Sequence, residues 1–227
     1  MPWILIGLLL LALVFGPSLW VRRVMRRYSE PADRYPGTGA ELVHHLAREL
    51  GLNELRVERT EGGDHYDPHA RAVRLTPDKH DGRSLTAITV AAHEFGHALQ
   101  DAEGYPPLRL RTRLAGATRW IERAGVGLMV AAPFLAAVSR APALGGLSVL
   151  GGFMALGASA LVHVFTLPTE FDASFNRALP LLNDGRILRD VDRPHARRLL
   201  RAAALTYVAA SLMSLLNVAR WWALLRR

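Results

Sequence analysis

The chain has 227 residues, a net charge of +8 and no cysteine, and 50% of its residues are hydrophobic. Without cysteine, disulfides, iron–sulfur clusters and cysteine-ligated zinc are excluded, so a bound metal must rely on His, Asp or Glu. The positive charge comes from arginine, since Lys79 is the only lysine, and the arginines cluster just beyond long apolar runs. This distribution favours anionic lipid headgroups over nucleic acid as a partner.

The long apolar runs predict about four transmembrane helices. The first run, within residues 1–21, has no basic segment before it and no small-residue cleavage site after it, so we expect an uncleaved anchor rather than a signal peptide. Two further runs within 120–168 are separated by the short sequence SRAPALGG and predict a helical hairpin. The last run and a tail with two tryptophans flanked by arginine occupy 202–227.

Arginine positions between the runs predict the orientation of the chain. Residues 22–119 and 169–201 carry most of the arginines, which predicts that both segments lie on the cytoplasmic side of the membrane and both termini outside. The arginines of the C-terminal tail run against this rule, and a tail that lies in the membrane interface would reconcile them.

The first polar segment, 22–119, predicts a mixed α/β region, so the whole chain is expected to be mainly α, of α+β class. Thr38 and Glu41 form a capping box at the start of a helix that runs to Gly51. LRVER and RAVRLT alternate polar and apolar residues around a long turn-rich loop, which predicts a pair of strands. Ser84 then caps a second helix, with Gly104 as its stop.

Residues 91–100 read AAHEFGHALQ and place the pattern HExxH within this second helix. Side chains four positions apart lie on one helix face, so His93 and His97 can offer imidazole nitrogens to one metal ion. Glu94 lies beside the first of these residues, where a carboxylate can act as a general base on water. The apolar and small flanking residues favour a metal site over two unrelated histidines.

A catalytic zinc site needs a third protein ligand. The sequence TLPTEFDASFNRAL, residues 166–179, follows the predicted hairpin and offers Glu170. Because two crossings return the chain to the same side of the membrane, Glu170 can meet His93 and His97. Without the HExxH pattern, Glu170 would be interpreted as a carboxylate that stabilises a helix N-terminus after Pro168.

Several segments resemble the YugP-like membrane zinc metallopeptidases of bacteria. They are, in order, TGAELVHHLARELGL, DHYDPHARAVRLTPD, VAAHEFGHALQDAEGYPPLRLRTRL, LPTEFDAS and AALTYVAASL. The resemblance implies an integral-membrane HExxH peptidase of gluzincin type, with a small zincin-like cytoplasmic region and one Zn²⁺ ion. It implies zinc on His93 and His97, with Glu170 as the remaining ligand and Glu94 as the catalytic base.

Three residues compete for the role of supporting a ligand histidine. In related HExxH peptidases an aspartate one turn beyond the ligand glutamate often does so, whereas Ser174 stands at that position here, with Asp172 nearer. Asp67, in the sequence DHYDP, is the third candidate. His65, Tyr66 or Asp67 could instead polarise a substrate carbonyl, or the segment could be an Asp-Pro turn before a strand.

The predicted function is a membrane-bound zinc metalloendopeptidase that hydrolyses peptide bonds of proteins at or near the cytoplasmic membrane face. Its substrates would be membrane-associated proteins or peptides, its other partner is membrane lipid, and self-association is left open. The alternative is a catalytically silent metal-binding membrane scaffold. The Glu94 carboxylate separates the two hypotheses, because a protein that only binds metal has no need of a general base.

Overall fold

The computed structural model describes residues 2–184 and 187–206. Helices dominate these residues, with one small sheet, as expected for an α+β protein. In chain order the elements are α1 (Pro2–Arg27), α2 (Gly39–Glu49), β1 (Arg56–Arg59), β2 (His65–Asp67), β3 (Ala72–Leu75), α3 (Pro77–His80), α4 (Leu85–Ala102), α5 (Pro106–Ser139), α6 (Pro142–Phe165), α7 (Leu167–Phe171), a π-helix (Asp172–Ala178), α8 (Leu179–Asn183), a 3₁₀ turn (Asp190–Asp192) and α9 (Arg193–Ala204).

The chain divides into two compact units. One unit comprises Leu19–Arg109 and Leu167–Thr206, and the other contains Leu110–Thr166 together with the chain before Leu19. The first of these units holds the sheet, α2, α4 and α9, and it carries every predicted metal ligand. We call it the site unit.

The helix ends of the site unit follow the local signals in the sequence. The Thr38 side chain accepts a hydrogen bond from the Glu41 backbone, and the Glu41 carboxylate accepts one from the Thr38 backbone, which confirms the capping box. The Ser84 hydroxyl caps α4 by accepting from Ala87 N–H at 3.1 Å. Past the end of α4, Gly104 has a φ of +68°, a conformation that side chains with a Cβ seldom adopt.

The sheet contains the two predicted strands and a third one that the sequence did not predict. β1 pairs with β3 in parallel, and β2 lies on the other side of β3 in antiparallel pairing, so the order is β1-β3-β2. The third strand, β2, forms inside the segment interpreted as a loop. Two strands that run parallel need a connection that crosses back, and here β2 occupies part of that connection.

The core of the site unit is built around α4. This helix packs against α2 on one side and against α9 and the π-helix on others, with β3 also in contact. Its largest fully buried apolar side chain is Phe95, which joins Leu46 of α2 and Leu199 and Leu200 of α9 in one hydrophobic cluster. A helix apolar on most of its circumference is stable only when surrounded in this way.

The last predicted membrane span, 202–227, has only its first residues in the part of the chain that the structure describes. Ala202, Ala203 and Ala204 form the end of α9 and are buried in the core of the site unit. Small apolar residues such as alanine are found both in membrane-spanning helices and in packed core helices. The remainder of this span, from residue 207, lies outside the described residues.

The second unit contains the predicted helical hairpin. Only two residues separate α5 from α6, and a connection this short makes consecutive helices antiparallel neighbours. Within the described residues, one stretch, Trp120–Ser139, is long and apolar enough to cross a membrane by length and composition, and a shorter apolar stretch covers Ala143–Gly152. Trp120 is 72% exposed and Val138 is 86% exposed within the chain. Four membrane spans are therefore not confirmed and stay a prediction.

Candidate metal centre

Helix α4 carries the HExxH pattern in its buried middle. His93 and His97 are 3% and 2% exposed, and Glu94 is 7% exposed. The two imidazole rings meet edge to face, with 4.9 Å between their centroids and 74° between their planes. The spacing of four residues thus brings both rings to one face of the helix, as the sequence predicts.

Glu170 lies on a second element, as expected, and its side chain is fully buried at 0% exposure. It belongs to the short helix α7, which continues directly into the π-helix. At the end of the π-helix, Leu179 N–H donates to the Ser174 carbonyl, five residues back. Such wide turns occur mostly as single insertions in helices and often at functional sites.

Gly96 brings the two ligand-bearing elements together. A Cβ atom at this position would lie 2.5 Å from the Ala173 carbonyl oxygen, which is inside van der Waals contact. The absence of a side chain in the middle of HExxH therefore makes room for the π-helix. A glycine in a helix interior costs about 1 kcal/mol relative to alanine, and the close approach explains its presence here.

The three side chains meet at distances that suit one metal ion. Glu170 Oε2 lies 3.3 Å from His93 Nε2 and 3.3 Å from His97 Nε2. A tetrahedral zinc ion with ligands at 2.0–2.1 Å has ligand atoms about 3.3–3.4 Å apart. One ligand atom from each of the three residues lies within 4.8 Å of the others. The donor set, two imidazoles and one carboxylate, is one that zinc accepts in hydrolases, so these residues fit the ion that the sequence predicts.

His93 is oriented by a hydroxyl from the π-helix. Ser174 Oγ lies 2.9 Å from His93 Nδ1 and donates a hydrogen bond to the Leu200 carbonyl at 3.1 Å. Because a hydroxyl has a single proton, the Ser174 oxygen accepts from His93 Nδ1–H. The other ring nitrogen, Nε2, is then the one with a lone pair, and it faces Glu170. Of the three candidates for this role, Ser174 makes the contact.

His97 is oriented by Gln100, a residue that the sequence analysis missed. Gln100 Oε1 lies 2.9 Å from His97 Nδ1, and the Gln100 amide donates to the Thr169 carbonyl at 2.9 Å and to Asp172 Oδ2 at 2.8 Å. Asp172 therefore reaches a ligand histidine through Gln100. The available signal was its place three residues after His97 on the same helix face.

Asp172 is ionised in this arrangement. Burial opposes its ionisation, but hydrogen bonds from Gln100, Asn176 and Arg177 outweigh burial and hold the pKa of the carboxyl below its ordinary value. Arg177 Nε donates to Asp172 at 2.7 Å.

The DHYDP segment makes structural contacts. The Asp67 carboxylate accepts from the backbone N–H groups of His69 and Ala70 and pairs with Arg74 at 2.6 Å, so Asp67 forms the predicted turn. The Tyr66 hydroxyl donates to Asp101 at 2.8 Å, and burial together with this bond raises the pKa of Tyr66 above its usual value. His65 Nδ1 lies 2.9 Å from the Gly63 carbonyl oxygen. These contacts account for Asp67 without a role beside a ligand histidine.

Comparisons with known proteins also point to a zinc site. A family model described as "Putative neutral zinc metallopeptidase" matches residues 3–226, which is nearly the whole chain. The chain belongs to this family. It is also 35% identical over 224 residues to the "Putative membrane protease YugP" of Bacillus subtilis (strain 168), an alignment that covers 97% of this chain and 95% of the relative. No solved structure matches the chain.

Membership in this family implies zinc as the metal. The structure adds where the ion can be held, because the buried group of His93, His97 and Glu170 could hold a metal ion. The sequence resemblance to YugP-like proteins is confirmed by both comparisons.

Proposed function

We propose that this chain is a membrane-bound zinc metalloendopeptidase in which His93, His97 and Glu170 hold a single Zn²⁺ ion and Glu94 is the general base. The observation that carries the proposal is the pair of 3.3 Å distances from Glu170 Oε2 to the two histidine Nε2 atoms. Such spacing matches the edge of a tetrahedral zinc site. Each histidine also has a hydrogen-bond partner on Nδ1, an arrangement typical of metal-ligating imidazoles.

When bound, zinc supplies Lewis-acid chemistry, because it polarises a peptide carbonyl and makes water more acidic. The residues of the chain supply the rest. His93 and His97 bind through Nε2, and Glu170 contributes one negative charge that partly neutralises the ion. A carboxylate oxygen of Glu94 takes a proton from the attacking water and passes it to the amine nitrogen of the leaving group. Glu94 lies about 100° around the helix from His93, so it can serve the water without occupying a ligand position.

The location that we propose is the bacterial plasma membrane, with the site on the cytoplasmic side. The apolar stretch Trp120–Ser139 and the name of the Bacillus relative support membrane attachment. Arginine-rich segments before α5 and after α6 support the cytoplasmic side. Along the chain, Glu170 follows Phe165, the last residue of α6, by five residues.

This short chain distance supports a preference for membrane-tethered substrates. Proteins and peptides anchored near the cytoplasmic face would be cleaved faster than the same sequence in free solution. Equal cleavage of a lipid-anchored and a soluble version of one peptide by vesicle-reconstituted protein would contradict this preference.

The experiment that tests the proposed function measures zinc content and peptide-bond cleavage on the same purified protein. The wild type should contain one zinc ion per chain and cleave casein or a membrane-protein substrate. Glu94→Ala should keep the zinc and lose cleavage, whereas Glu170→Ala should lose zinc and cleavage together. The reasons differ, since Glu94 moves a proton and Glu170 holds the ion.

Other outcomes of this experiment favour the rival function. Zinc binding with no cleavage by the wild type on any membrane or soluble substrate would favour a metal-binding membrane scaffold. Full cleavage by Glu94→Ala would contradict the assignment of the general base. Glu49→Ala is a suitable control, because this exposed carboxylate at the end of α2 lies outside the metal centre.

A further inference from the structure

Gln100 is a buried amide that contacts both ligand-bearing elements of the metal centre. It lies on α4, two residues before the helix ends, and is 0% exposed. On its own helix it contacts His97, and across the gap it contacts the backbone carbonyl of Thr169, the residue before Glu170. One side chain therefore bridges the histidine pair and the carboxylate.

The surrounding acceptors determine which way the amide faces. The Thr169 carbonyl and the Asp172 carboxylate can only accept hydrogen bonds, so both require the NH₂ group of Gln100. The Gln100 carbonyl oxygen is then directed at His97 Nδ1. A flipped amide would place its oxygen against two acceptors. In the observed arrangement His97 carries its proton on Nδ1, so the Nε2 lone pair faces Glu170.

Asp172 is fixed in turn by a charged side chain. Arg177 contacts Asp172 through Nε at 2.7 Å and Glu103 through Nη1 at 2.8 Å. Glu103 directly follows α4. The contacts from Gln100 through Asp172 and Arg177 therefore end next to the same helix. The Arg177 guanidinium also lies 5.4 Å from the centre of the Tyr105 ring.

We propose that Gln100 is a positioning residue of the metal centre, held in place by Asp172 and Arg177. It keeps His97 in the tautomer that presents Nε2, and it sets the spacing between α4 and the segment that carries Glu170. The inference rests on the proposed zinc function, since the ligands it positions are those of the proposed site.

The test measures zinc affinity by competition with a chelator, together with the visible spectrum of the cobalt-substituted protein. Gln100→Met keeps a similar size, removes the NH₂ donor and replaces the amide oxygen with a thioether, a weak acceptor. Loss of a partner of a ligand histidine lowers metal affinity by about 10–100-fold, and we expect that loss with a changed cobalt spectrum. Ile88→Met is the matched control, because it places the same side chain at another buried position of α4 and should leave both readouts unchanged.

Two further variants test the contact between positions 100 and 172. Gln100→Glu alone puts a carboxylate against Asp172 and the Thr169 carbonyl and should also weaken zinc binding. Adding Asp172→Asn places an amide donor opposite the new carboxylate. The double variant should therefore bind zinc about tenfold more tightly than Gln100→Glu alone, a typical coupling between contacting side chains. Recovery would show that the contact between positions 100 and 172 controls zinc affinity.

The outcomes also separate this inference from the proposed function. If Gln100→Met binds zinc as tightly as the wild type with the same cobalt spectrum, the positioning role is wrong while the zinc site stands. No rescue by the double variant in folded protein, as judged by circular dichroism, likewise overturns it. A wild type that binds neither zinc nor cobalt overturns the proposed function itself, and the inference with it.

Discussion

The two histidines of the metal centre are supported by contrasting surroundings. His93 is held by the Ser174 hydroxyl, which donates a hydrogen bond to the Leu200 carbonyl, so its support is neutral and lies within the core. His97 is held by Gln100, and from there the contacts continue through Asp172 and Arg177.

The contacts that support His97 include the charged side chains of Asp172 and Arg177 and end at the exposed side chain of Glu103. The support of His93 depends on a single hydroxyl, and its removal deletes the hydrogen bonds to His93 Nδ1 and to the Leu200 carbonyl. The support of His97 distributes its contacts over several groups. The support of His93 therefore lies within the core, whereas the support of His97 is connected to the surface through Glu103.

The largest effect should come from a change that pushes the segment carrying Glu170 and Ser174 away from α4. Gly96→Ala would place a Cβ against the Ala173 carbonyl and push the π-helix away. Overpacking of this kind costs about 1–3 kcal/mol in the free energy of unfolding, and zinc affinity should fall by about a hundredfold or more because Glu170 and Ser174 both move away from the histidines of α4. Thermal unfolding in detergent and chelator competition measure the two effects.

Gly116→Ala is the control for this change. A Cβ at position 116 of α5 meets nothing within 4 Å, so the variant should bind zinc normally and be as stable as the wild type or slightly more so. Unchanged zinc affinity in Gly96→Ala would show that the close approach to Ala173 does not set the ligand spacing.

A smaller effect is expected from removing the neutral support alone. Ser174→Ala deletes the acceptor for His93 Nδ1–H and the donor to the Leu200 carbonyl, so zinc affinity should fall by about 10–100-fold. Leaving a buried polar group unpaired costs about 1–3 kcal/mol of stability. Ser148→Ala, which removes a hydroxyl bonded to the Leu144 carbonyl of its own helix, should change neither quantity. Equal zinc affinities of Ser174→Ala and the wild type would contradict the tautomer assigned to His93.

The smallest effect on zinc should come from a buried ion pair of the site unit that contacts no ligand. Asp192 is 1% exposed and accepts from Arg34 at 2.6 and 2.7 Å and from the Tyr35 hydroxyl at 2.6 Å. Burial opposes its ionisation, but the hydrogen bonds from Arg34 and Tyr35 outweigh burial and hold the pKa of Asp192 below its ordinary value. Asp192→Asn should lower the unfolding free energy at neutral pH by about 1–3 kcal/mol and leave zinc affinity unchanged.

The pH dependence of this variant has a definite sign. A carboxyl with a lower pKa in the folded state stabilises the fold above its unfolded pKa, about 3.9, and loses that contribution as the pH falls through the folded value. The stability difference between wild type and Asp192→Asn should therefore be constant near neutral pH and shrink below about pH 4. A zinc loss as large as that of Ser174→Ala would show that this ion pair belongs to the metal centre after all.

Features governed by local signals could be predicted from the sequence. The starts of α2 and α4 follow from Thr38 and Ser84, whose side chains cap nearby backbone groups. The shared face of His93 and His97 follows from helical spacing. Glu170 required more, namely a family resemblance and the counting of membrane crossings.

Features that depend on tertiary contacts could not be predicted in this way. β2 has only three residues and lies between turn signals, so pairing with β3 rather than local pattern creates it. Gln100 acquires its role from contacts with Thr169 and Asp172, and only the contact with His93 selects Ser174 among the three candidates. The role of Gly96 follows from Ala173, which is distant in sequence.

Zinc K-edge X-ray absorption of the purified, zinc-loaded protein tests the proposed zinc ligands most directly. We expect two imidazole nitrogens and one carboxylate oxygen at about 2.0–2.1 Å from the zinc, with one further light atom in the open position. His97→Ala should lose one imidazole contribution or the metal altogether. A spectrum without imidazole scattering, or one unchanged in His97→Ala, would contradict the assignment of His93, His97 and Glu170 as the zinc ligands.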